Sequence, residues 1–235
     1  MSNDFWMDIM RVILTVITLF TLSVSNAFSL SYHIPPELEK KYSVTYDMER
    51  CKIVVVGKVS RLDYKKHSLR DEPRKRPGWS TDVTIEIDEL IKGKPNAGKN
   101  QVIFMTEGGM NLRVAGQPEF EIGEEVVVFL KDNPHGRISL VEYDMGKRKI
   151  EDGKVYFLYP RARDCLIPVW FPLELAIVYS RAVVKDKEVM KPFEDEIRML
   201  ARKEKNKVDL PETLVKRMIT ESKKVLNSTP LSPSQ

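Results

Sequence analysis

Between residues 51 and 159 the chain consists of short β-branched runs separated by glycine turns, a pattern that commits this stretch to a small β core. The first run, Ile53-Val54-Val55-Val56, continues through Gly57 and Lys58 to Val59 and has strand length. Val83, Ile85 and Ile87 alternate with Thr84, Glu86 and Asp88 at period two, as in a strand buried on one face only. Further strands are expected at 101–106, 124–131 and 137–143, and Asp152-Gly153 marks a hairpin turn ahead of a strand at 155–158. Lys92-Gly93-Lys94-Pro95 and Gly108-Gly109 mark other turns. Five or six short strands at this spacing suggest a small barrel or a sandwich. The barrel is favoured, because closure removes the open edges that a meander would leave.

The hydrophobic period then changes. Met190, Phe193, Ile197 and Leu200 are three or four residues apart, and Leu214, Met218 and Val225 follow Pro211 at helical spacing. Two amphipathic helices are expected over the segment 171–226, packed on the barrel with their charged faces in water. The expected fold is therefore mainly β with C-terminal helices: a five- to six-stranded OB-like barrel within 48–170 and two helices against it. Residues 227–235, rich in Ser, Thr and Pro, read as a disordered tail. The chain of 235 residues shows no repeat of 20 to 50 residues, and its 42% apolar and 31% charged composition is that of an ordinary globular protein. A net charge of +4 is too small for nucleic-acid binding by the chain as a whole.

Residues 12–22 form an uncharged run followed by Ser25 and Ala27 at the −3 and −1 positions of a cleavage after Ala27. Residues 1–27 thus read as a signal peptide, with a weak membrane anchor as the alternative, since the run falls short of the roughly 20 residues that span a bilayer. Export implies an extracytoplasmic location: secreted, periplasmic or at the cell surface. Contact with a membrane is expected only through an uncleaved N-terminal segment. In such a compartment Cys51 and Cys165 are open to two readings, one structural disulfide or two buried thiols.

The order of these segments is similar to that of a known family. Cys51 to Val59, Val83 to Ile91 followed by Lys92-Gly93-Lys94, Gln101 to Thr106, Gly123 to Leu130, and Asp164-Cys165-Leu166-Ile167-Pro168-Val169-Trp170 together resemble the netrin-like domain of tissue inhibitors of metalloproteases and related secreted modules. The resemblance covers residues 48 to 170 and implies an OB-type barrel with helices against it. It also implies a disulfide between Cys51 and Cys165. The inhibitors chelate their target's zinc with a Cys-x-Cys at the mature N-terminus, and no cysteine lies between Ala27 and Cys51, so that activity is not carried over.

No local motif identifies a reaction, and no cofactor is expected. His33, His67 and His135 fall in expected loops without partners at metal-ligand spacing. The carboxylate pairs Glu124-Glu125 and Asp195-Glu196 are adjacent in sequence, so their side chains diverge on a strand or a helix. The segment 61–79 stands apart: seven cations, Arg61, Lys65, Lys66, Arg70, Arg74, Lys75 and Arg76, face three carboxylates, with Tyr64, His67 and Trp79 interleaved. In OB-type barrels the loop joining the first two strands borders the ligand face, so ion pairing plus ring stacking could grip an anionic polymer, a glycan or a protein. Lys65, Lys66, Arg74, Lys75, Arg76 and Trp79 are the candidate residues; the plainer reading is a solvated insertion. The sequence therefore favours a non-enzymatic binding module whose partner is a protein, a glycan or a polyanion rather than nucleic acid. A secreted hydrolase with a site assembled from loops is the alternative.

Overall fold

A computed structural model describes residues 42–67, 78–109, 114–115, 117–133, 136–141, 146–162, 165–204 and 206–228. The leader-like segment, His33, His135, Arg74, Lys75, Arg76 and the tail from residue 229 lie outside them. A short helix α1 (Val44–Arg50) leads into β1 (Ile53–His67), β2 (Gly78–Lys92), β3 (Gln101–Glu107), β4 (Glu125–Asp132), β5 (Ile138–Leu140) and β6 (Lys147–Lys149). There follow β7 (Lys154–Ala162), β8 (Cys165–Pro172), α2 (Leu173–Lys185), α3 (Lys187–Lys203), β9 (Val208–Asp209) and α4 (Glu212–Asn227). Among the described residues no helix is long and apolar enough to cross a membrane.

The first five strands close into a barrel in the order β1-β2-β3-β5-β4 and back to β1, with β6 added on β4. All neighbours are antiparallel except β3 and β5, which meet in parallel at Met105 and Ser139. This closed, mixed, five-stranded arrangement is the OB-type barrel that the strand spacing leads one to expect. Its interior is filled by Ile53, Val55, Val59, Val83, Ile85, Val102, Phe104, Val126, Val128, Leu130 and Leu140. On β2 the inward Val83 and Ile85 alternate with polar residues, and on β3 Val102 and Phe104 face in while Ile103 and Met105 face out. On β1 and β4 both faces are covered: Val54, Val56, Val127 and Phe129 point away from the barrel into a second core. That is why these two strands read as unbroken apolar runs instead of alternating.

Three irregularities in the β1–β2 register coil the ladder enough to close it. At one of them a Cβ on Gly57 would lie 2.0 Å from the Glu86 carbonyl oxygen, so only glycine fits there. The Asp152-Gly153 turn has positive φ at both residues, 49° and 69°, the geometry of a type I′ hairpin.

The second core lies between the outer face of β1 and β4, the β7–β8 hairpin and all four helices. β7 and β8 form a separate sheet with the two-residue β9, in which Phe157 and Phe171 stack edge to face at 5.0 Å. The periodic residues Met190, Phe193, Ile197, Leu214, Met218 and Val225 are all buried in this core, as the two expected helices require. Helix α2, absent from the sequence reading, sits among α1, α3, α4 and β8 with Leu175, Ala176, Tyr179, Ala182 and Val183 buried. A helix covered on several sides carries no polar stripe to betray its period. Asp186 ends α2 and caps α3 by accepting from the Glu188 and Val189 amides at 3.2 Å. Asn227, which composition assigns to the tail, closes α4, and the Ser228 hydroxyl donates to the Val225 carbonyl.

The cysteines require a correction. Both Cys51 and Cys165 are free thiols, not the disulfide that the family likeness implies. Cys51 is buried beyond the end of α1, where its thiol donates to the Asp47 carbonyl at 2.7 Å, while Cys165 opens β8 opposite Ala162. Burial, reinforced by the Asp47 carboxylate, pushes the Cys51 thiol up to about 12, so it is held protonated.

Candidate partner-binding hairpin

The residues singled out by charge and aromatic content lie on the distal half of the β1–β2 hairpin. β4 pairs with β1 only from Ile53 to Lys58, and two further backbone bonds, Val59 to Glu124 and Gly123 to Val59, end the seam. β1 continues past this point to His67, paired with β2 down to Gly78. At the departure Ser60 is the extra residue of a bulge between Val59 and Arg61, and its hydroxyl donates to the Thr84 carbonyl at 3.3 Å.

Alternation divides the side chains of this segment. Arg61, Asp63 and Lys65 occupy the outer face: Arg61 pairs with Asp63 at 2.8 Å and Lys65 with Asp82 on β2. Leu62 packs on the barrel core, and Tyr64, 45% exposed, lies beside the chain leaving β3. There a Cβ on Gly109 would be 2.7 Å from the Tyr64 ring, so the Gly108-Gly109 pair allows close passage of the backbone. Trp79 is half-buried, and the Lys66 ammonium stands 5.9 Å from its ring centroid. The structure thus brings Lys65, Lys66 and Trp79 together on one ribbon end. Of the remaining candidates, Arg74, Lys75 and Arg76 belong to the outlying segment between the two strands.

Two of the four described charges on β1 here, Arg61 and Lys65, are cations already paired with carboxylates. Exposed pairs of this kind contribute about 0 to 1 kcal/mol each, so an anion of higher charge density can displace Asp63 or Asp82 at little cost. The remaining outward groups of the adjoining sheet face are mixed. Across Asp63 and Asp82 lies Met105, and across Arg61 and Thr84 lies Ile103, 37% exposed. Glu86 and Glu107 flank these two, so cations concentrate on β1 and carboxylates on β2 and β3.

The other polar groups considered in the sequence serve the fold. Glu124 accepts from Lys147 at 2.6 Å, a pair with both side chains 12% exposed. The Lys147 ammonium also lies 4.5 Å from the Phe120 ring. Asp195 pairs with Arg198 and Glu196 with Arg217. Sequence reasoning missed Glu194, which is fully buried and accepts from the Thr45 amide at 3.2 Å, the Thr45 hydroxyl at 3.3 Å and the Tyr159 hydroxyl at 3.0 Å. Its burial raises it above the ordinary carboxylate value, against the opposing pull of Arg198 and these donors. No local signal marks it, since its partners are 149 and 35 residues away. Among the described residues no group of three or more His, Cys, Asp or Glu is placed to hold a metal. The fold defines the chain as an OB-type barrel with a helical layer. The sequence matches no protein-family model and no curated protein.

Proposed function

We propose that this chain is a non-catalytic binding module that works outside the cytoplasm and grips an anionic partner with the distal β1–β2 hairpin. The observation that carries the reading is the ribbon itself, which runs past the barrel seam with Arg61 at its base and Lys65, Lys66 and Trp79 at its end. The ladder carries Lys65 on one face of the ribbon end and Lys66 with Trp79 on the other, and in sequence Arg70, Arg74, Lys75 and Arg76 fall between the two strands. A sulfated glycan or another polyanion fits this chemistry: cations for the charges, and the Trp79 ring with its Lys66 neighbour for stacking. The leader-like residues 1–27 support action outside the cytoplasm, and so does the resemblance of residues 48–170 to secreted netrin-like modules.

Heparin-affinity chromatography of the full chain tests the reading. Retention is expected, it should weaken as salt rises because bound counterions are released, and Arg74→Ser/Lys75→Ser/Arg76→Ser should shift elution to lower salt. Equal elution of the triple variant and the parent protein would defeat the proposal.

A further inference from the structure

We infer that the outer edge of β1 over residues 60–67 accepts an added strand, and that its occupant is an extended acidic peptide lying antiparallel to it. The inference rests on the proposed anion-binding role of the hairpin and specifies how a protein partner would use it. Among the described residues, β1 pairs with β2 along its whole length but with β4 only as far as Lys58, so the second edge of the distal strand has no ladder partner. Strand edges of this kind bind by main-chain hydrogen bonds, and the side chains opposite each position set specificity.

The side chains select the occupant. A second copy of the same segment is disfavoured: antiparallel pairing about Asp63 sets Arg61 against Lys65 and Asp63 against itself, and pairing about the Asp63–Tyr64 bond sets Arg61 against Lys66. The bulge at Ser60 and the lysines are devices that guard an edge against its own kind. They do not guard it against a strand of opposite charge. Cross-strand neighbours share a face, so residues opposite Arg61, Lys65 and Lys66 should be carboxylates. Those opposite Leu62 and Tyr64, whose side chains lie on the barrel-facing side, should be apolar. A small neutral residue suits the place opposite Asp63. Read in its own direction, the complementary strand is Glu-Glu-Val-Thr-Val-Glu.

The test uses this peptide, capped and fluorescently labelled, with the full chain, together with two versions N-methylated on alternate amides in the two possible frames. N-methylation keeps every charge and side chain but removes backbone donors. The parent peptide should bind and slow hydrogen exchange at amides within 61–66. One N-methylated frame should bind at least about tenfold more weakly, because its donors face β1, while the other frame stays close to the parent. Equal binding of all three would overturn strand addition in favour of side-chain charge alone. Failure of the parent peptide to bind, with heparin retention still dependent on Arg74, Lys75 and Arg76, would overturn the inference and leave the hairpin's anion-binding role standing. Loss of both would overturn both.

Discussion

Glu194 is a carboxylate on α3 that holds the first turn of α1 and the hydroxyl of Tyr159 on β7; Arg198 acts on it, and its charge adds to the burial that raises Tyr179. Its folded-state value lies above the ordinary 4.5, so over the interval between them the native protein binds more protons than the unfolded chain. This contribution to stability is fully present below the ordinary value and is lost as pH rises through the folded one. Denaturant melts at a series of pH values should therefore show stability falling across that interval, and Glu194→Gln should flatten the fall while keeping acceptors for Thr45. Glu194→Leu should cost more, about 1 to 3 kcal/mol for each donor left buried without a partner. A profile identical in the parent and Glu194→Gln would show that the carboxylate does not titrate there. The cysteines offer a second check at this scale. Thiol titration in denaturant without reductant should find two thiols per chain. In the native protein Cys165 should react first, because the Cys51 thiol is buried and held protonated. A chain with no titratable thiol would restore the disulfide.

At the scale of elements, what could be read from the sequence was whatever one face of a strand or helix dictates. Val83, Ile85 and Ile87 announced β2 through their alternation, and Met190, Phe193 and Ile197 announced α3 through theirs. Asp152-Gly153 announced its hairpin turn. Other elements escaped: α2 lacks a continuous polar stripe, and β8 lay within a segment noticed only for its cysteine and the apolar stretch with Pro168 and Trp170. The strand expected at 137–143 is shorter, Ile138–Leu140, because β4 shares one edge between β5 and β6 and leaves room for three residues of each. Asn96 makes up for that shortness. Its side-chain amide donates to the Ile103 carbonyl at 2.7 Å and accepts from the Ile103 amide at 2.9 Å, satisfying backbone groups of β3 beyond the reach of β5. At the candidate site the charge run was visible in sequence, but its partial neutralisation was not. Lys65 and Asp82 are 17 residues apart and meet only through the β1–β2 register.

On the scale of the whole molecule, the barrel and the helical layer share two strands. β1 gives Ile53 and Val55 to the barrel interior and Val54 and Val56 to the helical core; β4 does the same with Val126 and Val128 on one side and Val127 and Phe129 on the other. Neither core can lose its packing while the other keeps these strands in place, because each strand's ladder is the wall of both. Tertiary coupling of this kind predicts one cooperative transition, although the two cores hold separate sets of side chains. Trp79 reports on the barrel hairpin and Trp170 on the β7–β8 sheet. With Trp6 replaced, fluorescence of Trp170→Phe and Trp79→Phe chains should give the same denaturant midpoint, and far-UV circular dichroism should coincide with both. Val55→Ala and Val56→Ala face opposite cores, yet each should lower both midpoints together, by about 2 kcal/mol in stability for the lost methyl groups and the space they leave. If Val56→Ala moved the Trp170 transition and left that of Trp79 unchanged, β1 would not couple the layers, and the helices would unfold from a barrel that stands without them.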